Sequence, residues 1–86
     1  MAYVYILGTS SGKYYIGSTS NLERRLKQHF SGQTDSTKRL GKPHLIFHQE
    51  YLTLEDARSV EKKLKNLKRK DYLEKIISDG YIKIQP

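Results

Sequence analysis

The chain has no cysteine, so neither disulfides nor a cysteine zinc site staple it, and an extracellular disulfide scaffold is excluded. No apolar run approaches the ~20 residues of a membrane span. The opening Met-Ala-Tyr-Val-Tyr-Ile-Leu-Gly is too short and too uncharged for a signal peptide. The expectation is therefore a soluble cytoplasmic protein with no membrane partner. A P-loop, a glycine-rich dinucleotide fingerprint and a serine elbow are all missing, as are internal repeats, low-complexity tracts and linkers. Acids are few: nine against 16 lysines and arginines, for a net charge of +7. That balance raises the prior for a polyanionic partner, nucleic acid before an anionic membrane, because the basic helices need their apolar faces for the core. A plain basic surface is the bland alternative. The 86 residues make one domain, 1–86, and a domain this short buries only ~60% of its unfolded surface, so its core is thin.

Tyr3-Val4-Tyr5-Ile6-Leu7 is aromatic and β-branched and reads as a strand. Gly8 to Gly12 is turn chemistry, and Lys13 to Gly17 returns as the second strand of an antiparallel hairpin. Alternation places Tyr3 and Tyr5 on one face and Val4 and Ile6 on the other. Tyr15 and Gly17 share a face, with Tyr14 and Ile16 opposite. Ser20 with Glu23 reads as a capping box that opens a helix near Asn21. Leu22, Leu26 and Phe30 form its apolar stripe, Arg25 and His29 flank that stripe, and Arg24, Lys27 and Gln28 face water. Gly32 fits the stop, and Ser31 to Pro43 reads as a loop. His44 to Leu52 reads as a third strand. Thr53 with Asp56 caps a second helix with the stripe Ala57, Val60, Leu64 and Leu67, and an outer face of Arg58, Lys62, Lys63, Lys65 and Lys68. Asp71 with Glu74 caps a third helix, which Gly80 stops, and Tyr81 to Ile84 is an edge strand or a tail. The order β-β-α-β-α-α implies an α/β (α+β) fold: a small three-stranded antiparallel sheet flanked by helices.

Several of these residues have chemistry to offer. Glu61 lies at the edge of its helix's buried stripe. It reads either as a helix ion pair with Lys65 or Arg58 or as a carboxylate holding Mg²⁺, with water and a substrate phosphate completing the shell. Arg25 carries a planar fork suited to phosphate, with a solvated face as the alternative. His29 reads as structural or catalytic. Tyr5 and Tyr15 read as core tyrosines with bonded hydroxyls. Beside a metal and a cation, such a hydroxyl has its pKa lowered and acts as a base. Seven tyrosines in the chain make any single one a weak signal. Residue reading alone stops at a basic α/β domain for which nucleic acid is a candidate partner.

Taken together, these residues resemble the GIY-YIG nuclease family, most closely its small stand-alone bacterial members, over nearly the whole chain. Tyr3-Val4-Tyr5 occupies the first motif, with Tyr3 and Val4 where the pattern has glycine and isoleucine. Tyr15-Ile16-Gly17 matches the second motif letter for letter. The segment Asn21 to His29 resembles the arginine helix, with Arg25 at the catalytic position and His29 at a histidine found in several members. Ala57 to Lys65 resembles the glutamate helix, with Glu61 at the metal position. Excision-repair incision subunits and homing endonucleases carry the same module attached to other domains.

The resemblance implies metal-dependent endonucleolytic hydrolysis of phosphodiester bonds in DNA, with DNA repair or recombination as the setting. One Mg²⁺ or Mn²⁺ on Glu61 would neutralise the scissile phosphate, and Arg25 would stabilise charge on the phosphoryl oxygens. Tyr5 would accept a proton from water, Tyr15 would orient it, and His29 would assist. Gly17 would let the backbone turn tightly into the helix. Lys13, Arg24, Lys38 and Arg39 are candidates for gripping the phosphate backbone. RNA stays open beside DNA. The alternatives are a nucleic-acid-binding module of the same fold with weak or no cleavage, and a subunit whose protein partner supplies target choice.

Overall fold

The computed structural model describes residues 1–9, 12–30, 43–67 and 70–85, with His29, Phe30 and Pro43 described in backbone only. In chain order the elements are β1 (Ala2–Thr9), β2 (Tyr14–Thr19), α1 (Leu22–Phe30), β3 (Pro43–Tyr51), α2 (Leu54–Leu67) and α3 (Lys70–Asp79). The strands form one antiparallel sheet of order β2-β1-β3, the α+β arrangement that the alternation and helical periods imply. The expected loop from Ser31 and the Gly32 stop lie outside the described residues, except that Pro43 opens β3.

β1 is central because it is the run that is apolar on both faces: Val4, Tyr5, Ile6 and Leu7 are all fully buried. Its hairpin to β2 turns on Gly12, whose φ of 81° suits glycine. Thr9 closes the turn. Its backbone N–H donates to the Lys13 carbonyl (3.0 Å), its carbonyl accepts from Gly12 (3.0 Å), and its Oγ1 accepts from the Lys13 N–H (3.2 Å). One face of the sheet carries Ala2, Val4, Ile6 and Ile16, which pack with Ala57, Val60 and Leu64 of α2 and Leu73 and Ile76 of α3 into the hydrophobic core. Tyr5 and Leu7 are buried on the opposite face, apart from that cluster.

Three local expectations change. The cap of α1 is Asn21 and not a Ser20–Glu23 box. Asn21 Oδ1 accepts the Arg24 N–H at 3.1 Å, and Thr19 Oγ1 accepts the Asn21 N–H at 3.1 Å. Asparagine caps as well as serine does, and Glu23 instead pairs with Lys27 one turn on, at 3.7 Å. Leu67 ends α2 one turn past the last buried position, Leu64, and stands 41% exposed. α3 begins at Lys70, so Asp71 sits within its first turn and not before it. Of the two readings of the segment after Gly80, edge strand or tail, the structure has the tail, docked on the sheet. Ile82 is buried, and its N–H donates to Gln49 Oε1 at 2.7 Å, while Gln49 Nε2 donates to the Tyr51 hydroxyl at 3.0 Å. The Thr53 cap is present, its Oγ1 accepting the Asp56 N–H at 3.1 Å.

Candidate active site

The register of β1 on β2 sets Tyr5 opposite Gly17 and Leu7 opposite Tyr15, so both tyrosines rise from the face turned away from the main core. Tyr5 is fully buried, and its ring lies directly over Gly17: a Cβ on that glycine would overlap the Tyr5 hydroxyl and Cζ. Gly17 lies within β2, two residues before the strand ends at Thr19. It therefore does not turn the chain into the helix, as the motif suggested. It leaves room for the ring of Tyr5.

α1 enters above this face. Because its cap is Asn21, Arg25 falls one turn in and turns towards the sheet. Its Nε donates to the Tyr5 hydroxyl at 3.3 Å, and its Nη1 donates to Gln28 Oε1 at 3.2 Å. The guanidinium is held protonated above its ordinary range. The hydrogen bond to Tyr5 is the main cause and burial opposes it, with Tyr15 adding its field and a weaker hydrogen bond. The Tyr5 hydroxyl is also pushed above its ordinary value in the protein alone. Burial dominates, outweighing the hydrogen bond and positive field of Arg25, and the fields of Tyr15 and Glu61 push in the same direction as burial. In the protein alone, Tyr5 is a neutral hydroxyl at neutral pH.

Glu61 comes to the same place from α2. Its side chain is 18% exposed. One oxygen, Oε1, accepts a hydrogen bond from the Ser18 hydroxyl, and the other, Oε2, pairs with Lys65 Nζ at 2.6 Å. The ion-pair reading of Glu61 has its counterpart in Lys65, and the field of the carboxylate also reaches Tyr5. Ser18 was missed in the sequence. The signal available was its place directly after Gly17, on the strand face that looks at α2, where Val4 is its neighbour across the ladder.

Arg25 is thus bonded to Tyr5, Tyr15 acts on both, and the field of Glu61 reaches Tyr5. Arg24 points outward and lines an open groove with Thr19, Ser20, Asn21, Arg25 and Gln28. Lys13 is exposed at the start of β2, at the hairpin end, where Lys70 stands over the Tyr14 ring at 5.6 Å. Lys38, Arg39 and the side chain of His29 lie outside the described residues.

No group of three histidine, cysteine or acidic side chains converges among the described residues. The available donors are the Glu61 carboxylate and the Ser18 hydroxyl. These are oxygen ligands that fit a hard cation such as Mg²⁺, which keeps several waters and uses substrate phosphate oxygens rather than a full protein cage. Among the described residues no helix is long and apolar enough to cross a membrane.

The chain is similar to several known proteins. The chain is 42% identical over 69 residues to the UPF0213 protein of Streptococcus pneumoniae serotype 4, covering 79% of this chain and 70% of that protein. It is 35% identical over 79 residues to UPF0213 protein CPE1444 of Clostridium perfringens, covering 91% and 85%. The solution NMR structure of the UPF0213 protein BH0048 from Bacillus halodurans matches it with a TM-score of 0.58 and 32% identity, over 93% of this chain and 87% of that one. The GIY-YIG catalytic domain matches residues 1–75, and the chain belongs to that family of nucleases, whose members generally depend on a divalent metal and act on nucleic acid.

Proposed function

We propose that the protein is a divalent-metal-dependent endonuclease that hydrolyses phosphodiester bonds in DNA, serving repair or recombination. The observation that carries this reading is the meeting at one hydroxyl. Arg25 donates to Tyr5 at 3.3 Å from α1, while Tyr15 on β2 and Glu61 on α2 both act on it electrostatically. Arg25, charged at any accessible pH, stabilises negative charge developing on the phosphoryl oxygens. Tyr5 handles the proton of the attacking water, and Tyr15, whose field acts on both Tyr5 and Arg25, orients Tyr5 or the water. Glu61 is among the groups that hold the proton on Tyr5, so offsetting its charge eases the loss of that proton and leaves a phenolate able to accept one from water. Glu61, steadied by Ser18, would hold one Mg²⁺ or Mn²⁺, and the ion supplies Lewis-acid neutralisation of the phosphate. His29, one turn beyond Arg25 on α1, assists the proton transfer. Lys13, Arg24, Lys38 and Arg39 grip the phosphate backbone, and a protein partner supplies target choice.

One observation favours a second reading, a nucleic-acid-binding module with little cleavage: Lys65 already occupies Glu61 Oε2. The deciding experiment incubates the protein with labelled duplex, nicked, branched and single-stranded DNA, and with RNA, in Mg²⁺ or Mn²⁺ and in chelator. The endonuclease gives discrete products that vanish with chelator. Salt-sensitive binding without cleavage of any substrate in either metal makes the binding module the function.

A further inference from the structure

We infer that Lys65 is a substrate-binding residue of this site: its ammonium shares Glu61 with the divalent ion and passes to a backbone phosphate of the nucleic acid when the ion takes its place. The inference rests on reading Glu61 as the residue that holds the metal. The two oxygens of Glu61 are engaged differently. Ser18 donates a neutral hydroxyl to Oε1, whereas Lys65 places a full positive charge 2.6 Å from Oε2. A divalent ion on that carboxylate meets the ammonium as a like charge, and the mobile partner yields.

Lys65 is the mobile partner. Its side chain is 51% exposed against 18% for Glu61, and a lysine carries its charge on a flexible four-carbon stem. The ammonium is also turned towards the site. It lies 6.0 Å from the centroid of the Tyr15 ring, the tyrosine whose field acts on Arg25. Once released from Glu61, it stays beside the cation that binds phosphate. The other lysines near Glu61 on α2 are placed differently: Lys62 is exposed, and Lys63 donates to the Gln85 carbonyl at 2.8 Å. An ordinary helix pair at this spacing would contribute a little stability and nothing more. A shared carboxylate makes two opposite effects follow from one substitution.

The test measures Mn²⁺ binding by electron paramagnetic resonance, and binding of a fluorescein-labelled DNA hairpin across a salt series with Ca²⁺ or chelator present. Lys65→Met, with Lys65→Gln as a second variant, is compared with the wild type, Lys62→Met and Glu61→Gln. Removing Lys65 tightens Mn²⁺ by about two- to fivefold, the range expected for a half-exposed pair. It also lowers the salt dependence of DNA binding by about one phosphate contact with Ca²⁺ present, and by less in chelator. Lys62→Met, which removes the same charge from the same helix, leaves both nearly unchanged. Mn²⁺ binding that Glu61→Gln abolishes but Lys65→Met leaves at the wild-type level overturns the inference alone. So does a Lys62→Met variant that tightens Mn²⁺ equally, or a salt slope that Lys65→Met does not change. Mn²⁺ binding unaffected by Glu61→Gln overturns the metal reading of Glu61 and this inference with it.

Discussion

The ring of Tyr5 lies across the backbone of Gly17 on the neighbouring strand, in the space a Cβ would fill. The contact fixes the height of the Tyr5 hydroxyl above the sheet, and with it the point that Arg25 reaches. Gly17→Ala forces the ring to lift or the strands to part. Overpacking of this kind costs about 1–3 kcal/mol. The variant is expected to unfold at lower denaturant by that amount, and its Tyr5 ring resonances should shift. A Gly17→Ala protein as stable as the wild type, with Tyr5 unmoved, would show that the space is not needed.

The alternation of side chains along two short strands already placed Tyr3 with Tyr5 and Tyr15 with Gly17. What alternation cannot give is register, because sliding one strand past the other by two residues keeps every face and changes every neighbour. The Tyr5–Gly17 pairing therefore emerged only with the ladder. The position of Glu61 at the edge of the α2 stripe was legible from its spacing to Ala57 and Val60. The role of Ser18 was not, since it depends on which strand residue meets that edge. The cap of α1 was misassigned because Ser20, Asn21 and Glu23 offer two valid caps one residue apart, and local chemistry does not rank them. The burial that raises the Tyr5 hydroxyl in the protein alone was not legible for a related reason: spacing reveals a nearby arginine but not complete burial.

Ser18 supplies the hydrogen bond that holds Glu61 Oε1. Partners of this kind typically alter metal affinity or activity by about 10- to 100-fold when removed. Ser18→Ala is expected to lose cleavage in that range while binding DNA as the wild type does, because no charge changes. Ser18→Thr keeps the hydroxyl and should retain most of the activity. Steady-state kinetics with a cleaved substrate check this, and equal rates for all three proteins would remove Ser18 from the site.

Burial raises the Tyr5 hydroxyl above 10.0, and burial does the same for Tyr51, against the hydrogen bond from Gln49. The unfolded chain releases these protons near 10.0 while the folded chain still holds them, so the folded state binds more protons at higher pH. The stability they contribute is complete below pH 10 and is lost as pH rises through the raised values. Urea unfolding followed from neutral to strongly alkaline pH should show the wild type losing stability above that point. Tyr5→Phe and Tyr51→Phe should each lose less over the same span. An alkaline decline in Tyr5→Phe as steep as in the wild type would contradict the burial of that hydroxyl.

Glu61→Gln and Arg25→Ala should agree in activity and differ in everything else. Glu61→Gln keeps the side chain's size and its acceptor for Ser18, but removes the charge that would hold the ion. Cleavage should fall by at least about 10²-fold, the scale seen when one charge-stabilising group is removed from a site. DNA binding should hold or tighten, since a negative charge has left the vicinity of the phosphates. Stability should change by less than about 1 kcal/mol, because the lost partner, Lys65, is half exposed. Arg25→Ala should fall as far in cleavage but also weaken binding, because a cation has gone from the phosphate. The Tyr5 hydroxyl gives a third readout in which the two variants move in opposite directions. Glu61 pushes its pKa up and Arg25 pulls it down, so Glu61→Gln should ionise Tyr5 at lower pH and Arg25→Ala at higher pH than the wild type. Titration of the Tyr5 ring by NMR reads this without any substrate. Wild-type cleavage by Glu61→Gln would end the proposed mechanism, and a Tyr5 titration unmoved in both variants would mean that the three residues do not share a site.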